Sequence, residues 1–325
     1  MIEVGSGGIN RKVLVTGATG FVGDSLIRYL AQSSGFEVRA ACRKRIESPA
    51  QNIFCMAGCD LSNDDHWPDA LAGMGSVVHC AALTSSAGVA EELVYRINVE
   101  GTLRVARLAA EAGVSRFVFI SSLKVNGEST SGRGPFNESS VPSPEDPYAR
   151  SKWDAEQGLM EIARSTDMDV IIVRCPLIYG YGVKGNFEIL MRLAASGWPL
   201  PFGGIENARS FLFIDNLCDF LATVLAVDFA SSQLFLLSDG YDPSSSELIR
   251  LMRAALGRRA GLFRFPWRWV RPLVCLAQKE AMIERLTGSL QLDSSKAQEV
   301  LGWKAPIEFE EGIRKTMASS GAIQS

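Results

Sequence analysis

Tyr148 and Lys152 stand four residues apart, and Ser122 precedes them at the end of an apolar run. Side chains four apart on a helix share a face, so an ammonium can sit beside a phenol. A positive charge nearby lowers a tyrosine's pKa from its ordinary value of about 10. Such a tyrosine gives or takes a proton at a carbonyl or hydroxyl oxygen, and a serine hydroxyl can hydrogen-bond that same oxygen. The carbon bearing the oxygen then needs a hydride carrier. Gly17, Gly20 and Gly23, between a β-branched apolar run at 12–16 and helix-period apolar residues at 26, 27 and 30, supply a place for one. Gly17 permits the tight turn, Gly20 lets backbone approach a pyrophosphate, and Gly23 lets helix and strand pack closely. Phe21 and Val22 open the helix whose amides face those phosphates.

The next strand ends in Cys42, Arg43, Lys44 and Arg45, with no acid at the place where a ribose 2′-hydroxyl is usually held. Arg43 can pair with a 2′-phosphate instead, which favours NADP(H), with NAD(H) as the alternative. Asp60 and Leu61 are expected to flank the adenine.

The elements that must position these groups follow from periodicity. Strands are expected at 12–16, 37–42, 77–81, 116–122, 169–174 and 233–237, and helices at 98–112, 148–164, 215–227, 245–256 and 283–301. Short apolar strands alternating with longer helices imply an α/β fold, a doubly wound parallel sheet of the Rossmann kind. A dinucleotide-binding domain is expected over 1–175, with the chain returning near 208–237, and a smaller substrate-binding α/β lobe over 176–325. The Gly- and Pro-rich stretches between 175 and 204 read as loops over a cleft.

Composition removes other chemistries. The 325 residues are 47% hydrophobic and 21% charged with a net charge of −3, so general affinity for nucleic acid is not expected. Two histidines and seven scattered cysteines leave little for a metal site or a Ser-His-Asp hydrolase, and reduced thiols suit a cytoplasmic protein. No targeting segment is read at the N-terminus. The aromatic stretch 263–277 is broken by Pro266, Arg268, Arg271 and Pro272, and reads as a lid or interface helix in preference to a membrane contact.

The motifs TGATGFVG (16–23), HCAA (79–82), NVEGT (98–102), SS (121–122), YARSK (148–152) and RCPLIYG (174–180) resemble the extended short-chain dehydrogenase/reductases of the sugar-nucleotide epimerase/dehydratase kind. The resemblance implies catalysis by Ser122, Tyr148 and Lys152. It implies cofactor contacts from Ala81, Ala82, Asn98, Tyr148, Lys152 and Pro176, and support of the site from Asn98. It also implies a UDP-sugar substrate, touched by Thr84, Ser122, Lys124 and Asn186 and clamped at its diphosphate by Arg209, with Asp215 fixing the lobe. A homodimer built on the helices of Asn98 and Tyr148 is implied as well.

Within the family, 4,6-dehydratases carry an Asp–Glu pair directly after the catalytic Ser/Thr. Leu123 and Lys124 stand there and cannot supply that acid and base. Two readings remain. The favoured one is an NADPH-dependent 4-ketoreductase, because SSLKVNGE (121–128) is similar to enzymes forming UDP-N-acetylquinovosamine for bacterial O-antigen. The other is a 4-epimerase that keeps NAD bound. A non-catalytic NADP-binding regulator is disfavoured, since such proteins typically lack the Tyr–Lys pair.

Overall fold

A computed structural model describes residues 11–33, 35–44, 52–84, 89–228, 231–265 and 287–319. Arg45 and residues 266–277 of the aromatic stretch lie outside them. The first half runs β1 (Lys12–Thr16), α1 (Phe21–Gln32), β2 (Glu37–Ala41), β3 (Ile53–Met56), α2 (Trp67–Leu71), β4 (Ser76–His79) and α3 (Glu91–Tyr95). A π-helical turn, Arg96–Gly101, then leads into α4 (Thr102–Glu111), β5 (Arg116–Ser122), a 3₁₀ turn Leu123–Val125, α5 (Pro147–Ser165) and β6 (Asp169–Cys175). The second half runs β7 (Leu177–Tyr179), α6 (Asn186–Ala195), β8 (Leu200–Gly203), β9 (Phe211–Phe213), α7 (Ile214–Ala226) and β10 (Gln233–Leu236). Then come α8 (Ser245–Ala255), β11 (Leu262–Arg264), α9 (Ser295–Leu301) and α10 (Phe309–Ser319).

Seven strands form one parallel sheet in the order β10-β6-β5-β4-β1-β2-β3. Strand runs such as Val13–Leu14–Val15 and Phe117–Val118–Phe119 are buried throughout, because helices cover both faces. On one face Leu26, Ile27 and Leu30 of α1 meet Phe220, Leu221 and Val224 of α7. On the other, Val105 and Ala109 of α4 meet Ala155, Leu159 and Ile162 of α5. Strand order reverses between β1 and β4, which opens a crevice beyond their C-terminal ends.

Several expectations need correction. The strand expected to reach residue 42 ends at Ala41, and the one expected at 77–81 ends at His79, where both backbones turn into the crevice. The stretch 98–112 is two conformations, a π-helical turn followed by α4. No single helix spans the described part of 283–301. Residues 288–293 run extended instead, with Leu290 bridging Arg209 and Leu292 bridging Phe136. Leu290 and Leu292 are buried at a spacing of two, a strand period, and the Asp293 carboxylate accepts from Ser295 N–H just before α9 begins. The stretches expected as loops hold β7 and β8, and α6 lies between them. Phe187, Met191 and Ala194 give α6 a buried stripe inside a Gly-rich context.

Candidate active site

The glycine turn is shaped by what would strike it. Gly17 has φ +65°, and a Cβ there would sit 2.7 Å from Ala81 N, so the β1 turn and the chain leaving β4 touch backbone to backbone. A Cβ at Gly23 would overlap the Gly17 carbonyl oxygen. Gly20 donates its N–H to Gly17 O at 2.8 Å and caps α1 with no side chain of its own. The first-turn amides of Phe21 and Val22, both half-buried, are thus left at the helix's positive end. This is a cradle that a dinucleotide's phosphates fit.

Beneath the turn lies a network that sequence reasoning missed. Thr16 Oγ1 accepts from Ala81 N–H at 3.2 Å and lies 3.0 Å from His79 Nδ1, while His79 Nε2 lies 3.1 Å from Thr102 Oγ1. A threonine hydroxyl thus meets the buried ring at each of its two nitrogens. Burial, aided by the charge of Lys152, pulls His79 down to about 3, so the ring is a neutral strut. Asn98, in the π-helical turn, accepts from Leu83 N–H at 2.7 Å and donates to Leu83 O and to Ser151 Oγ, each at 3.0 Å. Ser151 in turn donates to Tyr148 O at 2.8 Å. One amide thus pins residues 81–83 against α5.

Tyr148 and Lys152 lie on the first turns of α5, started by Asp146, whose Oδ1 accepts from Ala149 N–H at 2.6 Å. Lys152 is buried. Its Nζ donates to Ile120 O at 2.8 Å and lies 5.9 Å from the Tyr148 ring centre. Burial pulls this ammonium down to about 8, against the opposing pull of Cys80, Glu156 and Cys175. The Tyr148 hydroxyl is raised above the ordinary tyrosine value, first by burial and then by Cys175 and Asp146. This corrects the expected direction: desolvation of the phenol outweighs an ammonium that faces the Ile120 carbonyl. Ser122 accepts from Lys124 N–H at 3.3 Å, which leaves its hydroxyl proton available to a ligand oxygen.

Behind this trio lies a buried ion pair, also missed, although Glu156 stands one further turn beyond Lys152. Arg174 Nη2 meets Glu156 Oε2 at 2.6 Å, Arg174 Nε meets Oε1 at 3.0 Å, and both side chains are 2% exposed. Ser121 donates to the same carboxylate, and Arg174 Nη1 donates to Asn126 Oδ1 at 3.0 Å. Adjacent strands β5 and β6 and helix α5 are thereby locked where Ser122, Tyr148 and Lys152 leave them.

The remaining expected residues spread around the crevice. Arg43 is exposed past the end of β2, and its charge adds to the Ser62 hydrogen bonds that hold the Asp60 carboxyl below the ordinary range. Leu61 is buried, its carbonyl accepting from Arg104 at 2.8 Å. Ala81, Ala82 and Pro176 are half-buried at the exits of β4 and β6, and Thr84 is exposed. Asn186 is exposed at the start of α6. Arg209 is half-buried and donates to Gly288 O at 3.0 Å. Tyr181 donates to Asp215 Oδ1 at 3.0 Å, tying the loop before α6 to α7. Lys124 faces carboxylates: its Nζ lies 2.6 Å from both Glu128 and Asp146. Among the described residues no group of three or more His, Cys, Asp or Glu could hold a metal ion, and no helix is long and apolar enough to cross a membrane.

Known proteins are similar to this chain. A UDP-glucose 4-epimerase of Vibrio cholerae is 40% identical, over 94% of each chain. An N-acetyl-α-D-glucosaminyl-diphospho-ditrans,octacis-undecaprenol 4-epimerase of Escherichia coli O157:H7 is 25% identical over 95% of each. The solved structure of MoeE5 in complex with UDP-glucuronic acid and NAD is similar with a TM-score of 0.77 and 25% identity, covering 95% of this chain and 98% of that one. Residues 13–233, from β1 to the first residue of β10, match one family description. By that match, and by the Vibrio relative, the chain belongs to the NAD dependent epimerase/dehydratase family.

Proposed function

We propose that the protein is a UDP-sugar 4-epimerase that keeps NAD bound through its cycle. The observation carrying this reading is the 40% identity, along nearly the whole of both chains, to a UDP-glucose 4-epimerase, joined to a Ser–Tyr–Lys trio at the dinucleotide cradle. The nicotinamide supplies the hydride acceptor and donor when bound. Tyr148 holds the proton exchanged with the sugar's C4 oxygen, and Ser122 donates a hydrogen bond to that oxygen. Lys152 keeps a positive charge near both. Arg209 is the expected partner of the diphosphate and Asn186 of the adjoining sugar. A 4,6-dehydratase is disfavoured because Leu123 is buried and Lys124 is cationic where that chemistry needs carboxyl groups.

A second reading, an NADPH-dependent reductase of a UDP-4-keto-6-deoxy-N-acetylhexosamine, is favoured by one feature. Exposed Arg43 stands past β2 with no acid to receive a ribose 2′-hydroxyl. The deciding experiment incubates the purified protein with UDP-galactose, or its N-acetyl counterpart, without added cofactor. In parallel the keto-sugar is offered with NADPH. The expected result is interconversion of C4 isomers in the first arm, abolished in Tyr148→Phe while NAD binding persists. NADPH loss in the second arm alone would make the protein a reductase.

A further inference from the structure

Lys124, expected to touch the substrate, is given no role in the proton and hydride steps proposed above, yet its ammonium joins the two segments that carry them. It lies two residues after Ser122 in the 3₁₀ turn Leu123–Val125, whose first bond is Lys124 N–H to Ser122 Oγ. Its Nζ sits 2.6 Å from Asp146 Oδ2 and 2.6 Å from Glu128 Oε1. Asp146 uses its other oxygen to cap α5, two residues before Tyr148. One carboxylate therefore spans Ser122's turn and Tyr148's helix. The same seam is closed by Ser143 N–H to Val125 O at 2.9 Å and by Glu128 N–H to Glu145 Oε1 at 3.4 Å. Each member of the Lys–Glu–Asp cluster is between 25% and 29% exposed, so the cluster is partly shielded from solvent.

We propose that Lys124 is a positioning residue, whose ammonium sets the separation of the Ser122 hydroxyl and the Tyr148 phenol by holding Asp146 and Glu128 together. The inference rests on the reading that Ser122 and Tyr148 serve the C4 oxygen. Without the ammonium, two carboxylates would repel each other across the seam, and an Asp146 that has lost this cation would lie beside Tyr148. Asp146 already acts to raise that phenol. The other groups facing Tyr148 are Lys152 and Cys175, and those facing the cluster are Glu145 and, through the Glu145 carbonyl, Arg150.

The test compares Lys124→Met, Lys124→Arg and Asp146→Asn in the full-length protein with bound cofactor. UDP-sugar epimerisation is measured across pH, with kcat and KM separated. Displacements of about 1 Å at a reacting group cost up to about a hundredfold in rate. Lys124→Met should therefore lose about ten- to a hundredfold in kcat with KM held, and Lys124→Arg should restore most of it. The tyrosine-controlled limb of kcat should move to higher pH in Lys124→Met. It should move to lower pH in Asp146→Asn, where the cap survives without its charge. A loss confined to KM would make Lys124 a substrate-binding cation and overturn the proposal. So would unchanged kcat, or a uniform loss with no movement of the limb. Should Lys124→Met fail to fold, Asp146→Asn carries the same test, and an unmoved limb there is equally contrary. Should the wild type turn over no UDP-sugar, the functional reading fails separately. Hydrogen exchange of the 123–128 and 146–150 peptides then decides: faster in Lys124→Met and restored in Lys124→Arg, or unchanged and the proposal overturned.

Discussion

Replacing Glu156 by Gln removes one charge from the interior and leaves Arg174 behind. Three of the Arg174 hydrogen bonds run to the Glu156 carboxylate and one to Asn126. Both side chains are 2% exposed, so water cannot take the carboxylate's place. Breaking a buried ion pair by removing one partner costs about 3–5 kcal/mol, because the remaining charge stays desolvated. Unfolding entropy near 60 °C is about 2.1 cal/mol/K per residue, about 0.7 kcal/mol/K for a chain of 325 residues. The melting temperature should therefore fall by about 4–7 °C. Thermal unfolding followed by circular dichroism, at fixed scan rate and neutral pH, reads this directly. Glu161→Gln, at an exposed position of the same helix, is the control and should lie within about 0.5 kcal/mol of the wild type. Glu156 also acts to raise Lys152, so the lysine should titrate lower in the variant and the alkaline fall in turnover should begin earlier. A melting temperature matching the control would refute the reasoning that this pair holds β5, β6 and α5 in register.

Activity and stability should part company in alkali. Lys152 is held at about 8 against an ordinary 10.5, so between those values the unfolded chain binds more protons than the folded one. Stability therefore gains with pH across that window while the charge beside Tyr148 is lost, and turnover should fall above about 8 as denaturant midpoints hold or rise from this group. Gly23→Ala places a Cβ against the Gly17 carbonyl, and a strain of about 1–3 kcal/mol at the phosphate turn should weaken NAD binding by about tenfold or more in calorimetry. Tyr148→Phe should bind NAD as the wild type does and turn over almost nothing, since only the transferable proton is removed.

The parts of this architecture legible in the sequence were those with a strong local signal. The glycine turn announces itself because each glycine has a steric reason to be one, and the strands expected at 116–122 and 169–174 carry the apolar runs Phe117–Ile120 and Val170–Val173. Tyr148 and Lys152 were legible from their spacing at the start of a helix. The Thr16–His79–Thr102 strut was not, because its members lie 63 and 23 residues apart and meet only where β1, β4 and α4 converge. The partners of Lys124 were not legible either: nothing local announces that Asp146, 22 residues on, comes back to hold it. At 283–301 the helix-like composition hid a two-residue alternation at Leu290 and Leu292, which only the strand-like partners Phe136 and Arg209 make decisive. The edge strand β3 escaped because Phe54 is exposed and the run is four residues long.

In the proposed epimerase cycle one bound dinucleotide takes and returns the same hydride at C4. The most direct measurement supplies a UDP-sugar deuterated at C4 to the purified protein, with excess unlabelled NADH in solution, and locates the label by NMR in both isomers. Deuterium retained at C4 of the epimerised product is expected of that cycle. Loss of the label to the external pool, or a substrate left unepimerised while NADPH is consumed on the 4-keto sugar, would contradict it.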